Sequence, residues 1–304
     1  MTDKPDYTKT AEAETHAATH ESGGSDEMTI PAASPTAHKT SHENGGSDEI
    51  DVAGLSGLLA DPQLPIKRPI WELMRHLAYE ISPQSQIMAL AFDSANNRII
   101  AGTYPDAQIW VSTYGGYIWT LKKDLSNETP AQSQVRSLTF DSANNRIIAG
   151  TYPDGQIWVS TDAGDTWTLK KDLSNETPAQ SRVMSFTFDS ANNRIIAGTD
   201  PDAQLWVSQD GGDTWTLKKD LSNETPAQSQ ILSLTFDSAN NRIIAGTIPD
   251  GQIWVSMDGG DTWTLNKNLS NQSPSQTRVF SLTFDSANNR IIAGTYPDGQ
   301  IWIL

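Results

Sequence analysis

The side chains of this chain that could do chemistry vary between five near-identical copies of one segment. The segment FDSANNRIIAGT begins at Phe92, Phe140, Phe188, Phe236 and Phe284, and each start lies 48 residues after the previous one. Most positions around it are identical between copies, whereas two groups of positions carry arginine, tyrosine, aspartate and other large side chains. Guanidinium groups and aromatic rings are typical of recognition surfaces. The variation therefore predicts a binding surface, with sequence drift at tolerant positions as the alternative.

The two groups define fifteen candidate ligand-binding residues. Those at the start of the first predicted strand are Gln86, Met88, Gln134, Arg136, Arg182, Met184, Gln230, Leu232, Arg278 and Phe280. Those in the turn after the second strand are Tyr104, Tyr152, Asp200, Ile248 and Tyr296. Because the first strand begins at the same end as this turn, both groups are expected on one face. A third variable position (Thr113, Thr161, Gln209, Met257) lies at the opposite end and favours drift.

Each repeat contains four short runs with strand character. In the copy that follows Ser133 they are Val135–Phe140, Arg146–Thr151, Gln156–Ser160 and Thr166–Leu173, separated by Asp, Asn, Pro and Gly turns. Four antiparallel strands at a fixed long period are typical of β-propellers. We therefore expect an all-β fold, a five-bladed β-propeller of near-identical 48-residue four-stranded blades spanning residues 66–304.

The ends of the repeat array predict how the ring closes. Trp71 lies 48 residues before Trp119, so Pro69–Leu77 matches a fourth strand without its preceding three. The last copy stops at Leu304, after its third strand. An N-terminal strand that completes the last blade would hide two open edges and give a closed monomer. The alternative is that this strand completes the blade of a neighbouring chain, which gives a strand-swapped oligomer.

Three hairpin tips share a second pattern, reading STDAGDTW, SQDGGDTW and SMDGGDTW. The serine and aspartate can hydrogen-bond the main chain of a tight turn, the glycine supplies a positive φ, and the tryptophan buries apolar surface. The residues with these structural roles are Ser160, Asp162, Gly164, Trp167, Ser208, Asp210, Gly212, Trp215, Ser256, Asp258, Gly260 and Trp263. The first copy reads STYGGYIW, with Tyr114 in the place of the aspartate, so its turn is expected to be looser.

This S-x-D-x-G-x-T-W pattern resembles the Asp-box of bacterial neuraminidase (BNR) repeats, found in sialidases and sortilin-type receptors. The resemblance implies a sialidase-like or sortilin-like β-propeller, with the box stabilising the fold away from the active face. It also raises glycoside hydrolysis, which would need an arginine cluster, a Tyr–Glu nucleophile pair and an acid/base aspartate. Arg136, Arg182 and Arg278 could form the cluster, but no glutamate occupies a variable position. We therefore expect no enzymatic activity and no catalytic residues.

Two kinds of binding function remain. The first is a non-enzymatic scaffold that presents the varied propeller face to a protein partner. The alternative is a lectin-like, multivalent glycan-binding module with equivalent sites between blades. Such sites need residues that are identical in every blade, which Asp106, Asp154, Asp202, Asp250 and Asp298 provide.

Composition narrows the partners further. The net charge is −16, and residues 1–65 carry twelve acidic and three basic residues, so nucleic acid is not an expected partner. This acidic tail has no apolar periodicity and is expected to be disordered. Its histidine pairs, His16 with His20 and His38 with His42, lie beside Gly-Gly-Ser, so no metal site is expected. The chain has no cysteine, no signal-like start and no apolar stretch of about 18 residues. We expect a cytoplasmic protein without cofactor or membrane association.

Overall fold

The structure is a computed structural model that describes residues 73–80 and 82–304. The predicted tail 1–65, its histidine pairs and Trp71 lie outside the described residues. Every helix in the described part is a short 3-10 turn, and none is long and apolar enough to cross a membrane.

In the described part of the chain, nineteen strands form five antiparallel sheets, each built from strands that are consecutive in sequence. Sheet 1 contains β1 (Gln86–Asp93), β2 (Arg98–Tyr104), β3 (Gln108–Thr113) and β4 (Ile118–Asp124). Sheet 2 contains β5 (Gln134–Asp141), β6 (Arg146–Tyr152), β7 (Gln156–Ser160) and β8 (Thr168–Asp172). Sheet 3 contains β9 (Arg182–Asp189), β10 (Arg194–Asp200), β11 (Gln204–Ser208) and β12 (Thr216–Asp220). Sheet 4 contains β13 (Gln230–Asp237), β14 (Arg242–Ile248), β15 (Gln252–Ser256) and β16 (Thr264–Asn268). Sheet 5 contains β17 (Arg278–Asp285), β18 (Arg290–Tyr296) and β19 (Ile301–Ile303).

The hairpin between the first two strands of each sheet is fixed by its own side chains. In sheet 2, Asp141 Oδ1 accepts hydrogen bonds from the main-chain N–H groups of Ala143 and Asn144, both at 3.0 Å. Asn145 then takes a φ of +53°, a left-handed conformation that asparagine tolerates better than most residues. The same turn recurs at Asp93, Asp189, Asp237 and Asp285. The DSANN segment therefore explains why the chain reverses after each first strand.

The hydrophobic core lies between neighbouring sheets. Each sheet has an N-side face, which meets the preceding sheet in sequence, and a C-side face, which meets the following one. Between sheets 1 and 2, the C-side residues Ile109 and Leu125 pack with the N-side residues Val135, Ile147 and Trp158. Equivalent clusters fill the next three junctions. The chain therefore builds one kind of interface four times.

Glycine at the second strand sets how closely these sheets approach. A methyl group added at Gly198 of sheet 3 would lie 2.5 Å from Cβ of Ile231 in sheet 4. Gly150 and Gly246 meet Val183 and Val279 in the same way. The glycine in AGT is therefore required by packing at these positions.

Polar bridges accompany the apolar contacts at each junction. Ser137 Oγ of sheet 2 donates to the carbonyl oxygen of Val183 in sheet 3 at 2.8 Å, and sheets 3 and 4 repeat this bond. Asn144 Nδ2 donates to Asn193 Oδ1 of the next sheet at 3.0 Å, and this bond is present at all four junctions. Neighbouring sheets are thus held by directional bonds as well as by burial.

The two ends of the array differ from the rest. Among the described residues sheet 5 has three strands, and no fourth strand pairs with β19. Over the described part of the predicted closing strand Pro69–Leu77, residues 73–76 form no strand and a 3-10 turn begins at Leu77. These residues lie against the N-side face of sheet 1 around a hollow of ≈ 280 Å³, where Arg75 covers Trp110 as Lys123 covers Trp158. Closure of the ring within one chain therefore stays a prediction.

Candidate functional site

The register of the sheets brings the two variable groups together. The first residue of the first strand pairs with the last residue of the second strand in every sheet. In sheets 2, 3 and 5 these pairs are Gln134 with Tyr152, Arg182 with Asp200, and Arg278 with Tyr296. Sheets 1 and 4 pair Gln86 with Tyr104 and Gln230 with Ile248. The ten residues therefore form five cross-strand pairs at one end of the sheets, and with the bulge residues below we call them the variable face.

A β-bulge presents the remaining five variable residues. In sheet 2, Val135 pairs with Thr151 and Ser137 pairs with Gly150, so Arg136 is the extra residue between them. The same irregularity places Met88, Met184, Leu232 and Phe280 outside the ladder. Bulges free one residue from pairing and re-aim its side chain. The most variable position of the repeat is thus the one with no partner across the sheet.

Sheets 2 and 3 contribute a charged cluster to the variable face. The Arg182 guanidinium stacks on the Tyr152 ring of the neighbouring sheet at 4.3 Å, and its Nη1 lies 3.6 Å from Asp200 Oδ2. Asp200 is buried, and Arg182 Nε is buried without a hydrogen-bond partner in the described part of the chain. Burial lowers the pKa of Arg136, the positive charge of Arg182 lowers it further, and Asp200 opposes both. Arg182 pairs with Asp200, and Arg136 lies near enough to be affected by both charges, so the cluster carries a net positive charge that suits an anionic ligand.

Sheet 5 contributes an aromatic cluster to the same end. Arg278 lies over the Tyr296 ring at 4.8 Å and over the Phe280 ring at 5.5 Å. The two rings meet edge to face with centroids 6.1 Å apart. Phe280 and Tyr296 remain 49% and 46% exposed, which is high for aromatic side chains with this much apolar area.

The other predicted ligand-binding residues lie at the same end of the sheets. In the described part of the chain they form no polar or aromatic side-chain contact with one another. Gln86 is exposed, and the half-buried residues are Met88, Tyr104, Gln134, Met184, Gln230, Leu232 and Ile248. Of the fifteen residues, Asp200 alone is buried. The variable face is therefore accessible in every sheet.

The hairpin tips have the geometry that their sequence predicts. Ser160 Oγ accepts a hydrogen bond from the N–H of Gly164 at 2.8 Å, and Gly164 has a φ of +90°. Asp162 accepts from the N–H and hydroxyl of Thr166 at 2.8 and 2.6 Å. Burial works to raise the pKa of Asp162, but the bonds from Thr166 and Ser160 outweigh it and hold the pKa below its usual range. Trp167 is 7% exposed, so the tip serves packing.

The equivalent tips of sheets 3 and 4 repeat this arrangement. Ser208 and Asp210 hold the turn at Gly212 and Trp215, as do Ser256 and Asp258 at Gly260 and Trp263. In sheet 1, Tyr117 and Ile118 stand where sheet 3 has Asp213 and Thr214, and they are 70% and 53% exposed.

A second aspartate of each tip forms a contact that sequence reasoning missed. Asp213 of sheet 3 accepts from Arg146 Nη1 and lies beside Lys170 Nζ of sheet 2, both at 2.7 Å. Asp165 and Asp261 bridge to the preceding sheet in the same way, and we call the three residues the clamp aspartates. Hydrogen bonds from Lys170 and Arg146 lower the pKa of Asp213. The sequence could have revealed this contact, because the clamp aspartate and its arginine and lysine partners are present in every repeat pair that forms it.

The glutamates of the described residues are all in ion pairs. Glu80, Glu128, Glu176 and Glu224 form ion pairs with Arg75, Lys123, Lys171 and Lys219. No cluster of His, Asp and Glu with the geometry of a metal site occurs in the described ranges.

Comparisons with known proteins agree with this architecture. A family model described as "Sortilin, neurotensin receptor 3" matches residues 107–222. No curated protein matches the chain in sequence.

Solved structures are similar in fold at low sequence identity. The GH74 xyloglucanase of Xanthomonas campestris is 17% identical with a TM-score of 0.55, covering 72% of this chain and 36% of its own. The extracellular domain of a hybrid two component system, BT4673 from B. thetaiotaomicron, is 16% identical with a TM-score of 0.56, covering 74% and 28%. The chain thus spans about a third of the length of these proteins. Together the comparisons support a β-propeller fold.

Proposed function

We propose that this chain is a non-enzymatic binding scaffold that presents the variable face to a protein partner. The five sheets serve as blades of one β-propeller, and the hairpin tips act as Asp-boxes that stabilise it. The observation that carries the proposal is the placement of the fifteen variable residues. They lie at one end of the sheets, on bulges and at strand ends, while the packing positions between sheets differ only by similar apolar residues from copy to copy.

The chemistry of the variable face suits a protein surface with acidic and apolar groups. Arg136 and Arg182 lie near a single carboxylate, Asp200, which pairs with Arg182, and both offer guanidinium donors for an acidic side chain. Phe280 and Tyr296 offer exposed aromatic area on the same end, as interface hot spots commonly do. Since no two sheets carry the same set, the variable face supports one composite site better than five equivalent ones.

The residues that would build equivalent glycan sites have internal roles. Asp154 accepts from Gln132 Nε2 at 2.8 Å, and Gln156 accepts from the indole N–H of Trp158 at 3.0 Å. Gln156 is 1% exposed. These bonds recur in the neighbouring sheets, so the identical aspartates and glutamines are explained by the fold.

A capture experiment tests the proposal. The immobilised chain and a variant with Arg136→Ala, Tyr152→Ala and Phe280→Ala are exposed to a cell lysate, and the proteins retained are compared. A control variant carries Thr161→Ala, Gln209→Ala and Met257→Ala, three exposed and equally variable residues at the opposite end. We expect one protein that is retained by the wild type and the control but lost from the first variant. Equal retention by all three would contradict the proposal.

Two further assays address the other functions. Binding to several glycans on an array, unchanged in the Arg136, Tyr152 and Phe280 variant, would favour the lectin-like alternative. Hydrolysis of a fluorogenic sialoside would favour a glycoside hydrolase. We expect neither result.

A further inference from the structure

We propose that a second copy of this chain docks end to end, with the N-side face of its sheet 1 on the C-side face of sheet 5. This surface is separate from the variable face and does not depend on it. The four junctions between neighbouring sheets show which surface each of these two faces packs against, because equivalent residues form them.

The apolar half of the interface is present at both ends and is largely exposed, although residues 73–77 lie against the part of the sheet 1 face around Trp110. Val135, at the N-side face of sheet 2, is 0% exposed, whereas its counterpart in sheet 1, Ile87, is 49% exposed. Leu90 and Phe92 of the same face are 64% and 55% exposed. At the C-side face, Ile109 of sheet 1 is 0% exposed, whereas its counterpart in sheet 5, Ile301, is 75% exposed.

The polar half is also present at both ends. Ser281 of sheet 5 occupies the position from which Ser137 and Ser233 donate to the next sheet. Neighbouring sheets are also joined by an Asn–Asn hydrogen bond, such as that from Asn144 to Asn193. Asn288 of sheet 5 occupies the position of the donors, and Asn97 of sheet 1 occupies that of the acceptors. The two end faces therefore match each other in hydrogen bonding as well as in shape.

The geometry of one chain favours a second copy over closure of the chain on itself. Four junctions made from near-identical residues place each sheet on the next in the same way, with first strands packed against first strands. The first and last strands of that series, β1 and β17, do not pack in this manner, and Leu90 of sheet 1 and Ile301 of sheet 5 stay exposed. Closing the chain on itself would require one or more of these junctions to depart from the common packing. Two copies related by a twofold axis can instead satisfy both pairs of faces.

The residues of sheet 1 also predict the character of this contact. Asp165, Asp213 and Asp261 clamp three of the four internal junctions, but Tyr117 stands at the equivalent position of sheet 1. The junction between copies therefore lacks the ion pairs and relies on apolar burial. We expect the association to persist at high salt, since screening weakens ion pairs and not apolar contacts.

Sedimentation velocity of the full chain over a wide concentration range is the primary measurement. We expect a concentration-dependent shift from one copy to two, with a dissociation constant that changes less than about threefold between 0.1 and 1 M NaCl. A single-copy sedimentation coefficient at every concentration would overturn the proposal.

Two variants, each blocked on one face, give a sharper test. Leu90→Glu places a charge on the N-side face, and Ile303→Glu places one on the C-side face. Each variant alone should be a single copy, whereas their mixture should form a pair, because each supplies the face the other lacks. Met257→Glu, at a residue 64% exposed on a hairpin tip, is the matched control and should associate like the wild type. A mixture that does not pair, or a control that fails to associate, would refute the interface.

Gly294→Ala separates docking from folding. Its counterparts Gly198 and Gly246 have the next sheet within 2.5 Å of an added methyl group, whereas Gly294 meets only the Ser281 hydroxyl, at 2.7 Å. The variant should fold as the wild type by circular dichroism yet associate at least tenfold more weakly. Unchanged association would mean that the second copy does not pack on the C-side face of sheet 5 in the way that neighbouring sheets pack within one chain.

Discussion

Replacing Gly198 by alanine should destabilise the fold, whereas the same replacement at Gly294 should not. The two glycines occupy the same position of the repeat, in sheets 3 and 5. An added methyl group at Gly198 would lie 2.5 Å from Ile231 Cβ and 3.0 Å from Ser185 Oγ. At Gly294 the only neighbour within 4 Å is the Ser281 hydroxyl, at 2.7 Å, which can rotate away.

The magnitude follows from the overlap. Carbon atoms in comfortable contact lie about 3.5–4.0 Å apart, so the Gly198 methyl would overlap Ile231 by about 1 Å or more. Forcing one methyl group into a packed interface costs roughly 1–3 kcal/mol. Against this, replacing glycine by alanine lowers the entropy of the unfolded chain and stabilises by about 0.4–1 kcal/mol. We expect Gly198→Ala to lose about 1–2 kcal/mol and Gly294→Ala to gain about 0.5 kcal/mol.

Urea unfolding followed by tryptophan fluorescence measures this difference. Low protein concentration is used so that association does not contribute. A difference of about 2 kcal/mol corresponds to roughly 4–8 °C in melting temperature for a domain of this size. If Gly198→Ala proved as stable as Gly294→Ala, the close approach of sheets 3 and 4 would be wrong, and with it the packing on which the docking proposal is based.

Two further predictions concern the hairpin tips. The pKa of Asp213 is lowered by Lys170 and Arg146, so its stabilisation is present above about pH 4 and is lost as the pH falls through the folded-state pKa. Asp213→Asn should therefore lower the free energy of unfolding in urea at pH 7, by about 1 kcal/mol or less because the three side chains are partly exposed. The difference from the wild type should shrink as the pH falls below about 4. Trp215→Ala removes a side chain that is 7% exposed and should cost about 3–5 kcal/mol. Trp119→Ala should cost less, because Trp119 is half-buried behind a tip that lacks the serine–aspartate turn; thermal melting of both variants checks the order.

The sequence alone was sufficient to predict the strands but not how the sheets pack on one another. The predicted strand Gln156–Ser160 agrees with β7, and Arg146–Thr151 falls one residue short of β6. The predicted fourth strand, Thr166–Leu173, is longer than β8, since Trp167 belongs to the tip and Leu173 begins a 3-10 turn. Turn chemistry and alternation are local properties, so one sequence contains them. Whether β19 finds a partner depends on the angle between sheets, which no local pattern encodes.

The bulge and the clamp aspartates show two different kinds of missed signal. Val135, Leu138 and Phe140 all face sheet 1, although a spacing of three breaks strict alternation. The extra residue Arg136 accounts for this, and the broken alternation could have revealed it. Asp165 lies in a hairpin tip, and its partners, Arg98 and Lys122, lie in another sheet. Only the pairing of sheets shows that it bridges them.

The internal junctions explain why variation is confined to one end. A residue at a junction contacts a copy of the repeat on both sides, so a change there must be matched by its neighbours; Gly198 against Ile231 is the plainest case. The bulge residue has no cross-strand partner, and the strand-end residues pair only with each other, so both can change without disturbing a junction. Freedom from packing permits variation but does not require arginine beside tyrosine. Arg182 stacks on Tyr152 across two sheets while Arg278 lies over Tyr296 within one, so the varied residues form organised contacts of the kind that a binding surface uses. That organisation, on an accessible end of a rigid array, is the physical reason to seek a ligand there.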